Sequence, residues 1–335
     1  MCGAIERTLL YKGLRDRIFS CAPGEWRLHR CNACGSAYLD PRPTPDTIGL
    51  AYRSYFTHAC APRESIERLG FSRRLQRVLA NGYRNWRFGT DDQPASRLGV
   101  LVARLLPSQR ALIDGGARHL PRAGPDARLL DVGCGNGAFL DFARRAGWQV
   151  EGIDPDPAAV EAARQRGLSV RAGGIELLDR ESEAFDGITL SHVIEHVHEP
   201  LALLKACHRL VKRGGWIWLE TPNVDALGHR RYGANWRALE PPRHLVLFTP
   251  ASMRQSLAAT GFEEIEDQAY RPLCASIFAA SEAISEGHDV SHDTTLSQQA
   301  SEAARDADRT ARRDPGVREF ITVKARKAPL QPGTR

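Results

Sequence analysis

A glycine-rich turn that follows an acid is the strongest chemical pattern in the chain. An apolar run ends in Asp131, and Gly133, Gly135 and Gly137 follow at alternating positions. Glycines permit a tight turn and a close approach of the backbone to a ligand. A loop that binds pyrophosphate leaves its helix N-terminus open to anionic oxygens, whereas the carboxylate of Asp131 would repel them. The pattern therefore favours a ligand that carries positive charge over one that carries phosphate.

A second acid lies at the distance that a nucleoside ligand requires. Asp154 closes WQVEGID, 154 − 133 = 21 residues after Gly133. An acid about 20 residues beyond the first glycine ends the next strand and can accept both ribose hydroxyls. S-adenosylmethionine, which has a ribose and a sulfonium but no phosphate, suits both acids. An ordinary strand-turn-helix unit with a capping aspartate and a nicotinamide dehydrogenase remain as alternatives.

These segments resemble those of the class I S-adenosylmethionine-dependent methyltransferases. The resemblance covers residues 126–270 and includes LLDVGCGNGAFL, GIDPD, FDGITLSHVIEHVHEP, LVKRGGWIWLETPN and TGFEE. It implies an α/β fold with a Rossmann-like seven-stranded sheet, helices on both faces and an antiparallel last strand, for which EFITVKAR (319–326) is the candidate. It also implies eleven cofactor-binding residues: Asp131, Gly133, Cys134, Gly135, Asn136, Gly137, Asp154, Pro155, Ile175, Ser191 and His192.

The regions around this core have distinct compositions, and five segments are predicted. Residues 1–50 hold four cysteines and end in the turn-forming DPRPTPD, because proline cannot continue a helix. Residues 51–125 read as a helical lid, and 126–270 alternate apolar strands with amphipathic helices, as a parallel sheet requires. A polar helical insertion is predicted for 271–315 and the last core strand for 316–328.

Three histidines are the candidates for catalysis. His192 and His196 lie in SHVIEHVHEP at a spacing that shares one helix face, and His244 follows the stiff pair of prolines in PPRHLVLF. Histidine is the natural base near neutral pH. The first segment also resembles the ExxEH motif of ubiquinone-pathway O-methyltransferases and small-RNA 2′-O-methyltransferases, where carboxylates and histidine hold a divalent cation. Here His192 replaces the first glutamate of that motif. Three roles for these side chains therefore remain open: a general base, a metal ligand, and a group that orients loops by hydrogen bonds.

The amino-terminal cysteines resemble part of a zinc ribbon. Cys31 and Cys34 form a CxxC pair, and a tetrahedral structural zinc site needs two such pairs. Cys2 and Cys21 are the remaining candidates, so the predicted ligands of a structural Zn²⁺ are Cys2, Cys21, Cys31 and Cys34. A ligand upstream of Met1, a site that has lost its metal, and two small residues in a turn are alternatives. The arrangement of a zinc-ribbon-like segment before this fold resembles that of bacterial methyltransferases that act on sugars and other small molecules.

Composition and charge restrict the partners. The 335-residue chain has a net charge of +6, but its basic residues are scattered, which favours a solvated surface over a nucleic-acid footprint. It lacks both a secretory signal and the ~20-residue apolar run of a membrane span, so a cytoplasmic protein without a membrane partner is expected. The predicted function is methyl transfer to oxygen or carbon of a small-molecule acceptor. An RNA methyltransferase and a non-catalytic cofactor-binding protein are the alternatives, and no pattern indicates an oligomeric state.

Overall fold

The computed structural model describes residues 2–52, 69–288 and 296–329. Residues 53–68 of the predicted lid and 289–295 of the predicted polar insertion lie outside these ranges. Within them the chain forms eleven strands: β1 (Arg7–Leu14), β2 (Trp26–Cys31), β3 (Ala37–Leu39), β4 (Arg128–Val132), β5 (Gln149–Asp154), β6 (Val170–Ala172), β7 (Phe185–Ser191), β8 (Val211–Pro222), β9 (Val246–Leu247), β10 (Phe262–Asp267) and β11 (Phe320–Lys327).

Ten α-helices accompany the strands in the same described ranges. Their local sequences carry recognisable start signals: the Asp156 carboxylate accepts from Ala158 N–H, and Thr249 and Ser252 form a reciprocal capping box. The helices are α1 (Phe71–Phe88), α2 (Leu98–Leu105), α3 (Pro107–Gly116), α4 (Ala138–Arg145), α5 (Pro157–Gln165), α6 (Pro200–Leu210), α7 (Leu227–Tyr232), α8 (Pro250–Ala259), α9 (Cys274–Glu286) and α10 (Gln298–Arg313).

A seven-stranded sheet forms the core of the fold, in the order β10-β11-β8-β7-β4-β5-β6. The strands β4, β5 and β6 pair in parallel, and β11 runs antiparallel to β10. Central strands are apolar and fully buried, as with Leu129 and Leu130 in β4, because both faces of such a sheet are covered. The sheet has the seven strands that the resemblance implies, and β11 lies at the predicted EFITVKAR, which confirms the Rossmann-like α/β fold.

The order of the strands creates a place for a ligand. Successive connections add β5 and β6 on one side of β4, and the chain then returns to place β7 on the other side. Open α/β sheets bind ligands outside the carboxyl ends of their strands at such a switch point. The end of β4, with Asp131 and the glycine turn, is therefore the expected site.

A second sheet brings the amino-terminal segment together with a later loop. Its order is β1-β2-β3-β9, and all its pairings are antiparallel. The two-residue strand β9 pairs Val246 and Leu247 with Tyr38 and Ala37. The cysteine pair of the predicted knuckle lies in the turn between β2 and β3, since Cys31 N–H donates to Ser36 O over 2.9 Å.

The chain divides into two compact units that cut across the five predicted segments. The first unit contains Met1–Tyr55, Leu190–His208 and Trp218–Ala328, and the second contains Phe56–Thr189, Arg209–Ile217 and Pro329–Arg335. The second unit holds the glycine turn, and the first holds Cys2, Cys21, Cys31 and Cys34 and the candidate histidines. Among the described helices, none has the length and apolarity that crossing a membrane requires.

Candidate functional site

Two glycines of the turn in the second unit have different surroundings: Gly137 is closely packed, and Gly135 borders open space. Gly137 has φ +75°, and a Cβ there would lie 2.4 Å from Leu168 Cδ1, so only glycine lets α4 begin so close to its neighbour. Gly135 also has a positive φ, +53°, but a Cβ there would meet no atom within 4 Å. The backbone at Gly135 therefore borders open space, as a turn that cradles a ligand requires.

Asp154 holds this turn in place from the end of β5. The residue is 7% exposed, and its carboxylate accepts from Gly135 N–H over 2.7 Å and from Asp156 N–H over 2.9 Å. Each carboxylate oxygen has two lone pairs, so these bonds leave further acceptor capacity. The residue predicted to hold a ribose is thus placed rigidly beside the glycine turn.

Asp131 has a partner that the sequence did not reveal. The residue is fully buried at the end of β4, and its Oδ1 accepts from Thr189 Oγ1 over 2.8 Å and from Arg118 Nη1. Burial raises the pKa of Asp131, while the positive charge of Arg118 and the Thr189 hydroxyl act in the opposite direction. Its Oδ2 has no hydrogen-bond partner among the described residues. Arg118 already offsets its charge, so one buried oxygen remains for a ligand.

Arg118 reaches Asp131 from the end of the helical region. It follows α3, has φ +49°, and places its guanidinium 4.0 Å from the centroid of the Phe139 ring. Stacking on an aromatic face holds the flat guanidinium in one orientation. No motif surrounds Arg118 in the sequence, so its role depends on tertiary structure alone.

The other predicted cofactor residues of the second unit have less demanding positions. Cys134 is buried, and burial raises the pKa of its thiol, so it packs as a small apolar group. Asn136 Oδ1 accepts from Ala138 N–H over 3.2 Å at the start of α4. Pro155 is exposed, and Ile175 begins the short helical turn Ile175–Leu178 after β6. These placements leave the predicted cofactor roles as predictions.

Ser191 and His192, the last two predicted cofactor residues, belong to the first unit. His192 has φ +55°, and its ring lies between two buried carboxylates: Nδ1 is 3.2 Å from Glu195 Oε1 and Nε2 is 3.5 Å from Glu220 Oε1. Burial opposes a charge on the ring, but the two carboxylates outweigh it and raise the pKa of His192 to about 10. A ring that is protonated at neutral pH donates hydrogen bonds and cannot accept a proton, so His192 is poorly suited to be the base.

Both carboxylates are kept charged by further partners. Glu195 accepts from Thr221 Oγ1 over 2.9 Å, and Glu220 accepts from Thr322 Oγ1 over 2.7 Å. Arg271 Nη2 also donates to Glu220, over 2.6 Å. Burial opposes charge on both carboxylates, but the hydrogen bonds and neighbouring cations prevail and lower the pKa of each glutamate to about 2. The group forms a preorganised ionic network around His192.

His196 and His244 face each other beside the same Glu195. Their ring centroids are 4.7 Å apart, and one ligand atom of each of the three residues lies within 4.8 Å of the other two. The Nδ1 atoms lie 3.1 Å from Arg243 O and 2.8 Å from Ala238 O. A carbonyl oxygen can only accept, so the Nδ1 of His244 carries a hydrogen and its Nε2 keeps its lone pair. The Nδ1 of His196 also lies 2.9 Å from Tyr52 Oη, a group that can donate or accept, so either tautomer of His196 fits its partners. The arrangement suits a base and also a metal ligand set, the two roles that the sequence left open.

The environment of His244 keeps its ring neutral. The residue is buried, and burial lowers the pKa of His244 to about 4 despite the nearby Glu240 carboxylate. Unlike His192, it therefore has a free lone pair at neutral pH. The ring of His244 can therefore accept a hydrogen bond at neutral pH, and its role as the base stays a prediction.

The loop that carries His244 is anchored by Arg243, whose side-chain partners the sequence did not reveal. Arg243 is fully buried and donates to both oxygens of Asp16, over 2.5 and 3.1 Å, and to Glu240 Oε1 over 3.0 Å. Its Nη1 also donates to Ala51 O over 2.9 Å. Arg243 thereby ties the amino-terminal segment to the histidine loop within the first unit.

Three of the four predicted zinc ligands come together, and the fourth does not. The Sγ atoms of Cys2 and Cys31 are 3.5 Å apart, and those of Cys2, Cys31 and Cys34 all lie within 4.8 Å of one another. The backbone N–H of Cys34 stabilises the thiolate and, against burial, lowers the pKa of Cys31 to about 7. The prediction for Cys21 needs correction, because this residue lies outside the cluster of the other three cysteines. Its thiol donates to Ala51 O over 3.3 Å, in a turn that the Asp16–Arg243 pair holds in place.

Comparison with known proteins identifies a domain in the chain. Residues 105–267 match the family described as "Methyltransferase domain". The ubiquinone biosynthesis O-methyltransferase of Paracidovorax citrulli is 39% identical over 107 residues, 30% of this chain and 45% of that protein. The enzyme of the same name from Xanthomonas oryzae pv. oryzae is 40% identical over 104 residues, 29% of this chain and 44% of that protein. The chain thus spans less than half the length of these curated relatives.

A search of solved structures finds matches at low identity. The SAM-dependent methyltransferase from Archaeoglobus fulgidus covers 68% of this chain and 99% of its own, with 21% identity and a TM-score of 0.47. The assignment of the domain comes instead from the sheet order and the family match. Residues 105–267 therefore form a methyltransferase domain.

Proposed function

We propose that the chain is an S-adenosylmethionine-dependent methyltransferase that acts on a hydroxyl group of a small molecule. The observation that carries the proposal is the turn at Gly135, which is open to a ligand and bonded to the carboxylate of Asp154. The buried and unpartnered Oδ2 of Asp131 supports it, because a positively charged ligand would offset the cost of burying that oxygen. The cofactor, when bound, supplies an electrophilic methyl group on a cationic sulfur.

Within this proposal the residues of the second unit hold the cofactor. Asp154 accepts the ribose hydroxyls, the backbone at Gly135 follows the methionine part, and Ile175 flanks the adenine. Arg118 orients Asp131 and offsets part of its charge, so that the carboxylate stays in one position. These residues bind and align, and the transfer itself needs only an aligned nucleophile and removal of its proton.

The choice of oxygen as the acceptor atom is supported by the curated relatives, which are named O-methyltransferases. A hydroxyl loses a proton when it is methylated, and His244 is neutral and has a free Nε2 to take it. His192, protonated between Glu195 and Glu220, would instead donate a hydrogen bond. Transfer to carbon remains the alternative, and the methylated product distinguishes the two.

The test is transfer of labelled methyl from S-adenosylmethionine to a panel of hydroxylated small molecules, with S-adenosylhomocysteine release as the readout. We expect His244→Gln to lower turnover by about 100-fold, the usual range for a general base, with cofactor affinity within about twofold. His198→Gln is the matched control, since His198 lies in the same unit and its ring Nε2 bonds Pro43 O over 2.9 Å, away from Glu195 and His244 in the hydrogen-bond network. Cofactor binding without transfer to any acceptor would identify a non-catalytic protein, and equal turnover in His244→Gln would exclude that residue as the base.

We also propose that Cys2, Cys31 and Cys34 bind a structural Zn²⁺. Sulfurs around a tetrahedral zinc, with bonds of about 2.3 Å, lie roughly 3.8 Å apart, and the three thiols are close to that arrangement. The lowered pKa of Cys31 supplies a thiolate near neutral pH. Zinc would fix the turn between β2 and β3, and the fourth position would be taken by a ligand outside this cluster.

Metal analysis of the purified protein tests the zinc proposal. We expect one zinc per chain, lost in Cys31→Ser and retained in the control Cys21→Ser, together with a lower Tm in the presence of chelator. Loss of zinc in Cys21→Ser as well would restore the four-cysteine set predicted from the sequence. Purification without zinc, and a Tm unaffected by zinc or chelator, would reject the site.

A further inference from the structure

The helices α1, α2 and α3 of the second unit have an unusual distribution of side-chain sizes. Small residues occupy the contact between α1 and α2: a Cβ on Gly99 would lie 1.9 Å from Leu79 O, and one on Gly82 would lie 1.8 Å from Ser96 O. Ala103, one turn after Gly99, is also buried. The backbones approach so closely that no large side chain fits between them, as in helix pairs that use small residues as their interface.

The large apolar residues of α2 consequently face outward. Leu98, Leu101 and Leu105 are 65%, 54% and 70% exposed, and their spacing places them on one side of the helix. We call these three residues the leucine face; Leu106, 50% exposed, continues it at the end of α2. Of twelve large apolar side chains exposed among the described residues, eight lie between residues 71 and 112, so this region concentrates the exposed apolar surface.

The same three helices carry most of the net positive charge of the chain. Residues 71–116 contain eight arginines and three aspartates, 8 − 3 = +5, out of a total of +6. Two of the acids already have partners: Asp114 accepts from Tyr83 Oη over 3.0 Å, and Asp92 pairs with Arg145. The arginines of α2 and α3, Arg97, Arg104 and Arg110, are exposed. Exposed arginines thus flank the apolar face along the chain.

We propose that the leucine face docks on an anionic lipid surface. Exposed leucines with flanking arginines are the pattern of helices that lie in the membrane interface, where the apolar side chains enter the acyl boundary and the cations meet the headgroups. A second copy of the chain fits less well, because it would bring two segments of charge +5 together. A nucleic acid would attract the arginines but would leave the leucines without an apolar partner.

This inference changes one expectation from the sequence, which predicted no membrane partner because no span is present. Docking in the plane of the interface needs no spanning helix. The docking proposal does not depend on the identity of the methyl acceptor, and it can be tested without an activity assay.

The experiment is flotation of the whole protein with vesicles of phosphatidylcholine alone or with about one third phosphatidylglycerol. We expect binding to the anionic vesicles only, weakened by added salt because the arginine contribution is screened. The triple variant L98S/L101S/L105S should bind about 100-fold more weakly or worse, since each leucine loses its apolar burial. R97Q/R104Q/R110Q should bind about 100-fold more weakly at low salt, at about fivefold per arginine.

Matched controls carry the same changes elsewhere. I5S/L9S removes exposed apolar residues of the first unit, and R305Q/R312Q/R313Q removes three exposed arginines of α10. Both should bind as the parent does, and all variants should keep the parent Tm because the altered side chains are exposed. Absence of vesicle binding, or equal loss in the controls, would overturn the proposal. Two other results would also overturn it. One is a dimer that the leucine variant abolishes, with no vesicle binding by the parent protein. The other is RNA binding that the leucine variant retains, with flotation unaltered in every variant.

Discussion

Replacing Asp154 by alanine is expected to weaken binding of S-adenosylhomocysteine by about 100-fold or more while the protein remains folded. The proposed ribose contact accounts for most of the loss, because hydrogen bonds to a charged group contribute about 1.5–3 kcal/mol each. The rest comes from the Gly135 turn, whose N–H loses its acceptor. Calorimetric titration of the purified variant gives the affinity, and its Tm reports the fold.

Two further variants separate these contributions. Asp156→Ala changes a neighbouring acid that caps α5, so it should cost about 1 kcal/mol of stability and leave the affinity within about threefold. Asp154→Asn keeps one oxygen for the Gly135 N–H but cannot accept from two hydroxyls with both atoms, and should fall between parent and alanine. Unchanged affinity in folded Asp154→Ala would mean that the ribose lies elsewhere.

Replacing Arg243 by methionine should produce the largest loss of stability, about 3–5 kcal/mol in the free energy of unfolding. The guanidinium is fully buried between Asp16 and Glu240. Its removal leaves the buried carboxylate of Asp16 without its cationic partner and takes one of two arginine partners from Glu240. Methionine has a similar length, so the cost reflects lost charge pairing more than lost volume. Urea denaturation followed by tryptophan fluorescence gives the measurement.

Arg237→Met is the control for this prediction. Arg237 also pairs with Glu240 but is partly exposed, and pairs of that kind contribute about 0–1 kcal/mol. Adding Asp16→Asn to Arg243→Met should recover part of the loss, since it removes one of the stranded charges. If Arg243→Met were no more destabilising than Arg237→Met, the buried pair would not be what anchors the loop.

The sequence was informative wherever function depends on local patterns. The turn from Asp131 to Gly137 and the acid Asp154 are separated by one strand-helix-strand unit, so their spacing alone predicts that they meet. The seven strands were recognisable because each is a short apolar run between turns. The same reasoning placed His244 in a candidate site, because two prolines restrict the loop before it.

What the sequence could not supply are contacts between distant segments. Arg243 and Asp16 are 227 residues apart, and many of the chain's arginines would serve equally well as a partner on paper. The charge on His192 depends on Glu220, which arrives from a different strand, so its protonation could not be inferred from SHVIEHVHEP. Cys21 was assigned to zinc by elimination, and the fold of the Asp16 turn carries it elsewhere.

The pairing of β3 with β9 connects the turn that holds Cys31 and Cys34 to the loop that holds His244. Leu39 N–H donates to Leu245 O over 3.1 Å, one residue beyond His244. Any event that reshapes the turn between β2 and β3, such as oxidation of its thiols, is thereby transmitted along two adjacent strands to the imidazole. The amino-terminal fifty residues therefore help to fix the position of the His244 ring. A truncated protein that keeps only the seven-stranded sheet would lose this support.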